Sequence, residues 1–291
     1  MEAIKPKSQI LLKILVDRFH PGAAREILGK SLHADVAKSI SEIHLPHGNL
    51  QKLLVHSEEA LAAIHYSWIA EAVMLFPKKL YASLIKALPL EQRQGVSALL
   101  KVDVPKAPLC PVSKKFLSDS LYKKIEGASD ALPLDFIQEK PLFVLLHTDK
   151  KKMPELFDFL GLFDLAYKFK LIIDKKTISL VEKALSPGRM KFLRSLLHLK
   201  NLVPVADIDL MNWSGDPETL CKLIHRNGIL RMTKAVAGYD KDFIWHLSRR
   251  LDTGRGRIVL RYFSEEESTI TPVLAEQVLL IINTLTRKKE S

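Results

Sequence analysis

The chain has 291 residues, 47% hydrophobic and 26% charged, with 44 Lys and Arg against 33 Asp and Glu for a formal net charge of +11. This balance excludes disordered and fibrous chains and leaves room for two globular domains, or three small ones, with cores that need no covalent staples. Cys110 and Cys221 stand far apart and outside any C-x-x-C, which argues against a disulfide framework and for a reducing compartment.

The first twenty residues, MEAIKPKSQILLKILVDRFH, do not read as a signal peptide. Lys13 breaks the apolar positions Ile10, Leu11, Leu12, Ile14 and Leu15, Asp17-Arg18 follows, and no small-residue cleavage site comes after. No apolar run reaches the roughly 20 residues of a membrane span. A soluble, cytoplasmic protein is expected.

Most of the chain carries apolar residues at helical spacing. Leu80, Leu84, Ile85 and Leu88 form one stripe, and Val96, Leu99 and Leu100 begin another. The stretch Lys101 to Lys115, KVDVPKAPLCPVSKK, spaces Pro105, Pro108 and Pro111 three apart, which favours extended chain and a linker. Residues 141–146, PLFVLL, read equally as strand or helix. Asn201 to Pro217 holds Pro204, Gly215 and Pro217 and marks a second break. Thr271-Pro272, then Val273, Leu274, Val278, Leu279, Ile282 and Leu285, predicts a closing helix with proline near its first position, where the missing N–H does no harm. The expected organisation is an N-terminal helical domain over 1–100, a linker over 101–115, a middle helical domain over 116–200 and a C-terminal one over 201–291.

One pattern recurs. Residues 77–100, PKKLYASLIKALPLEQRQGVSALL, align without a gap on 174–197, DKKTISLVEKALSPGRMKFLRSLL. Residues 240–263, DKDFIWHLSRRLDTGRGRIVLRYF, follow the same pattern: Asp174 falls on Asp240, Leu185 on Leu251, and Gly188-Arg189 on Gly254-Arg255. A fainter copy runs from Ala24 to Ile43. In each copy an amphipathic helix ends at a leucine (Leu28, Leu88, Leu185 or Leu251), a short breaker follows, and a second helix begins; Pro89, Pro187 and Gly254 are read as the punctuation. A helix pair cannot bury its apolar face alone, so such units come in arrays. The fold expected is all-α, built of stacked helix-turn-helix (armadillo-like) units in two or three helical subdomains.

These units resemble the flagellar motor switch family, FliG. The likeness rests on Ala23-Ala24-Arg25-Glu26-Ile27-Leu28 with Leu32, Val36 and Ile40, on Ile85, Leu88-Pro89, Val96 and Leu100, on Leu156 to Leu199, and more loosely on Leu220 to Phe263. The FliG-like pattern implies a non-enzymatic scaffold. It also implies protein partners in a flagellar or type III secretion ring, with the chain as a cytoplasmic adaptor peripheral to the inner membrane and free to self-associate.

No catalytic residue, cofactor site or metal site is expected. His20, His33, His44, His47, His56 and His65 cluster early without the cysteine or carboxylate spacing of a zinc site. Ser195 and His198 share a helix but make no triad. Leu251 to Arg257, LDTGRGR, lacks the spacing of a phosphate loop. Its D-T-G stands alone in helical context. The residues expected to meet a protein partner are Arg249, Arg250, Arg255, Arg257 and Arg261, as one basic face, with Leu279 and Ile282 on the closing helix. The positive charge also suits nucleic acid as the alternative ligand, but base-stacking aromatics are not interleaved with the basic runs, so a nucleic-acid role is not the primary expectation.

Overall fold

The computed structural model describes residues 6–20, 22–43, 57–127, 129, 131–172 and 174–287; within them 16 α-helices and no strand are found. The fold is all-α, as the spacing of apolar residues predicts. His44, His47, His56 and the basic residues Lys288 and Lys289 lie outside the described residues. The chain divides into two compact units, Met1–Gln138 and Glu139–Ser291.

The first unit carries α1 (Pro6–Phe19), α2 (Ala24–Ser31), α3 (Ala34–Glu42), α4 (Ser57–Ala63), α5 (Tyr66–Met74), α6 (Tyr81–Ala87), α7 (Leu90–Leu100) and α8 (Pro111–Glu126). Val16, Leu28, Ala37 and Ile40 form the core of the first three helices, with Leu12, Ile27, Leu32 and Val36 packed against it. The proline-rich stretch does not separate the two units. Pro111 opens α8, and α8 packs on α4, α5 and α6.

The joint between paired helices is the same four times. Leu32, Leu88, Leu185 and Leu251 leave the helical conformation for an extended one, and His33, Pro89, Ser186 and Asp252 follow, also extended, as N-caps of the next helix. Different chemistry produces this one shape. The ring of Pro89 disfavours a helical Leu88, and Pro187 does the same to Ser186. Asp252 instead accepts hydrogen bonds from Gly254 and Arg255 N–H. The leucines at three joints are buried, Leu88 completely, so the joint is also a plug. Leu88→Ala should cost the first unit about 2–5 kcal/mol, read as a lower denaturant midpoint at unchanged slope.

Two details correct the reading of these joints. The first pair breaks at Leu32, not Leu28: α2 continues through Gly29, because a glycine inside a helix costs only about 1 kcal/mol and Leu28 is held in the core. Gly254 is not a left-handed breaker. It sits inside α15, and Asp252 alone makes the stop.

The second unit contains α9 (Val144–His147), α10 (Met153–Leu171), α11 (Lys175–Ala184), α12 (Pro187–Leu197), α13 (Pro217–Ala235), α14 (Lys241–Arg250), α15 (Thr253–Tyr262) and α16 (Thr271–Arg287). Residues 141–146, ambiguous by sequence, form a 3₁₀ turn over Pro141–Phe143 that runs into α9. The repeat here is larger than a helix pair. A 19-residue helix followed by a pair makes α10–α11–α12, and the same sequence makes α13–α14–α15.

The two long helices pack on each other through glycine. A Cβ on Gly161 would stand 1.8 Å from the carbonyl oxygen of Ile224, and one on Gly228 would stand 1.7 Å from that of Phe157. The contacts are reciprocal: Gly161 corresponds to Gly228 and Phe157 to Ile224. Asp158 meets His225 and Asp164 meets Arg231, each across the same separation of 67 residues. The long helices therefore run parallel, related locally by a pseudo-two-fold axis. The α11–α12 pair packs on α13 and α10, and α14–α15 joins α13 through α15.

Between α12 and α13 the chain is irregular, as the prolines and glycine of 201–217 predict, and it is tied down from below. Asp164 Oδ1 accepts from Val205 N–H at 2.7 Å, Arg231 Nη2 donates to Val203 O at 2.8 Å, and Asn227 Nδ2 donates to Ala206 O at 3.2 Å. Ile208 and Leu210 are buried. This stretch lies within the second unit.

Candidate functional site

A charged groove opens where α10, α12, α13 and α15 meet. Its walls come from α10 (Asp158), α12 (Arg189), α13 (Glu218, Cys221, Lys222, His225, Arg226, Ile229) and the start of α15 (Asp252, Gly254, Arg255, Ile258), around an open volume of about 730 Å³. Local sequence explains each position. Pro217 and the Asp216 cap, which takes Thr219 N–H at 2.8 Å, start α13. From there Cys221 and His225 fall one turn apart on the side facing α10 and α15.

Five side chains form a chain across the groove. Arg189 Nη2 donates to Asp158 Oδ2. Asp158 Oδ1 lies 2.7 Å from His225 Nδ1. Arg255 Nε donates to His225 Nε2 at 2.8 Å, and its Nη1 donates to Asp252 Oδ2 at 2.5 Å. A guanidinium Nε–H can only donate, so Nε2 must be the accepting nitrogen and the ring proton sits on Nδ1, donated to Asp158. The ring of Phe157 meets the imidazole edge-on at 5.6 Å. Arg189 and Arg255 are corresponding residues of the two repeats, as are Asp158 and His225. The cluster is thus one pair, Arg189–Asp158, joined to its own repeat, Arg255–His225.

Most charges in the groove are locked. Lys222 pairs with Glu218 at 2.7 Å on the exposed side of α13. Cys221 Sγ accepts from Arg189 Nη1 at 3.6 Å, and both cysteines of the chain are free thiols. Gly254 and Arg255 N–H are spent on the Asp252 cap at 3.0 and 3.1 Å, so the donors that could cradle an anion at this helix start are already used. The D-T-G triplet is a helix cap. Among the described residues Arg226, exposed at the rim, has no ion-pair partner.

The five arginines expected on one face are dispersed. Arg255 turns into the groove. Arg250 is half-buried and donates from Nη2 to Thr148 O at 2.6 Å; burial, against the pull of Asp149, holds its guanidinium below the ordinary value. Arg249 lies over the Trp245 ring at 5.4 Å. Arg257 and Arg261 remain exposed, one turn apart on α15, with Arg261 over Tyr262. Of the closing-helix pair, Ile282 is buried within its own unit and Leu279 is half-buried; Val273 and Leu280 carry the exposed side. Ser195 donates its hydroxyl to Phe192 O in its own helix at 2.7 Å. No group of His, Cys, Asp and Glu able to hold a metal ion occurs among the described residues, and none of their helices is long and apolar enough to cross a membrane.

A second ion pair joins α10 and α13. Arg231 and Asp164 are fully buried, 2.5 Å apart, with Gln277 Oε1 of α16 accepting from Arg231 Nη1 at 2.7 Å and the Phe163 ring 5.3 Å from the guanidinium. Burial pushes the Asp164 carboxyl above its ordinary value despite Arg231, and pushes Arg231 down despite Asp164. Asp158, Asp164, His225 and Arg231 were not among the residues expected from sequence. The available signal was a polar residue interrupting an apolar run, as in FDF and FDL on α10.

No family model matches this chain, and neither the curated proteins nor the solved structures offered a match.

Proposed function

We propose that the protein is a non-enzymatic helical adaptor and that its groove over α10, α12, α13 and α15 receives an acidic segment of a partner protein. The observation that carries this reading is the state of the groove's ionisable groups. His225 is engaged at both ring nitrogens, and Asp158, Asp252 and Glu218 each face a cation, so proton-transfer groups are held as structure. Arg226 at the rim and the overall charge of +11 favour a partner of opposite sign. The resemblance of the helix pairs to the flagellar motor switch family supports a flagellar or type III secretion ring as the setting, with the chain at the cytoplasmic face of the inner membrane. The armadillo-like stacking of pairs belongs to the same reading.

Photocrosslinking from position 226 in the source cell is expected to capture an acidic component of an export or flagellar ring, and Arg226→Glu should weaken that association by about tenfold or more, the equivalent of about 1.4 kcal/mol. Crosslinks to no such component, or a shift of duplex DNA or RNA at low salt that Arg226→Glu abolishes, would replace the adaptor reading with the nucleic-acid one.

A further inference from the structure

We infer that the Asp158–His225–Arg255 chain is a proton-operated latch on the groove: protonation of His225 releases the Arg255 side chain from α13. The latch regulates the groove proposed as the docking site and rests on that reading for its consequence, but not for its operation.

With the imidazole neutral, Nδ1–H serves Asp158 and the Nε2 lone pair serves Arg255 Nε–H, so one ring joins α10, α13 and α15. A proton arriving on Nε2 consumes that lone pair. The contact then sets an N–H against an N–H and a cation against a cation at 2.8 Å, and both attractions that held it are gone. Asp158 gains, because its hydrogen bond to the ring becomes charge-assisted. Arg255 does not leave the site. Its Nη1 stays on Asp252 Oδ2, so it swings about the start of its own helix, away from α13.

The groups around the ring set the balance. From α10 comes Asp158, which favours the imidazolium. From α12 comes Arg189, which bonds Asp158 and opposes it. From α15 comes Arg255, which opposes it, with Asp252 at its N-cap drawing off part of that charge. On α13 itself stand Cys221, Glu218, Lys222 and Arg226, of which Glu218 and Lys222 neutralise each other. The helices α11 and α16, which also pack on α13, contribute no residue to the groove lining. The closed state is the one in which Nε2 keeps its lone pair for Arg255 Nε–H, and histidine as a residue type can change charge between about pH 5 and 8. The pseudo-symmetry sharpens the point. The corresponding contact, Arg189 on Asp158, is an ion pair in the same window, so one half of the site holds while the other releases.

The test uses the whole chain and needs no partner. In a ¹⁵N NMR titration from about pH 8 to about pH 5, the range in which histidine changes charge, the Arg255 Nε–H signal should be sharp and protected at the upper end. It should broaden and exchange with water in step with the His225 ring resonances, while the Arg189 side-chain signals stay in place. In His225→Gln, whose amide oxygen accepts at every pH in this range, the Arg255 signal should no longer respond. An Arg255 Nε–H that stays protected while the His225 ring titrates, in the unaltered chain, overturns the latch whether or not the variant folds. So does an Arg255 response that persists unchanged in a folded His225→Gln. Failure to find an acidic partner at position 226 would end the docking reading and leave this result standing.

Discussion

Gly228→Ala is expected to unfold the second unit or come close to it. The added methyl would sit 1.7 Å from the backbone oxygen of Phe157, and a backbone on a buried helix cannot turn aside as a side chain does. The two long helices must separate, and every contact along them loosens together. Alanine ordinarily favours a helix over glycine by about 0.5–1 kcal/mol, so the overlap has to overcome that gain as well. The loss should exceed the usual overpacking range of about 1–3 kcal/mol. Gly161→Ala should behave alike, since its methyl would meet Ile224 O at 1.8 Å. Gly188→Ala is the control in the same unit. Nothing stands within 4 Å of its added carbon, and it should be neutral or slightly stabilising. Chemical denaturation of the three variants decides it: equal midpoints would mean that α10 and α13 do not meet at their glycines.

Arg231→Met is the second large effect. Removing the guanidinium strands Asp164, fully buried and already tied to Val205 N–H. It also leaves Val203 O and Gln277 without a donor. Breaking a buried pair at one partner costs about 3–5 kcal/mol. The pH dependence has a definite sign. Burial raises the Asp164 carboxyl and Arg231 is the chief influence lowering it, so in the variant the carboxyl rises further. A folded-state value above the unfolded one means that the folded chain binds the extra proton. The variant should therefore be relatively more stable at low pH and lose that stability as pH climbs from the ordinary value of 3.8 through the raised one. Denaturant midpoints of variant and parent across that range measure it. A gap between the two that stays constant with pH would mean that Asp164 does not take up the proton.

The helices and the two proline joints were legible in the sequence because their causes are local: Pro89 and Pro187 force the residue before them out of the helix. The other two joints were misplaced, at Leu28 instead of Leu32 and on Gly254 instead of the Asp252 cap. The alignment of Gly188-Arg189 on Gly254-Arg255 already marked Arg189 and Arg255 of the groove as one position seen twice. Its other half was not legible. Asp158, Asp164, His225 and Arg231 lie on α10 and α13, where the repeat is too faint to align residue by residue, and their meaning comes from partners 67 residues away. The basic face failed for a related reason. Arg249, Arg250 and Arg255 are close in sequence, but Leu251 and Asp252 turn the chain between them, so that the three point to different neighbours.

The pseudo-two-fold has a consequence for which substitutions the halves can share. A side chain that faces its own counterpart meets whatever it is itself. Glycine can do this without penalty, and Gly161 and Gly228 are the same residue. Two aspartates or two arginines could not, because like would repel like without water to screen it. So the halves of this unit differ where they touch through polar groups, Asp158 against His225 and Asp164 against Arg231: copying α10 over α13 would set Asp against Asp at both places, and copying α13 over α10 would set Arg against Arg at the buried one.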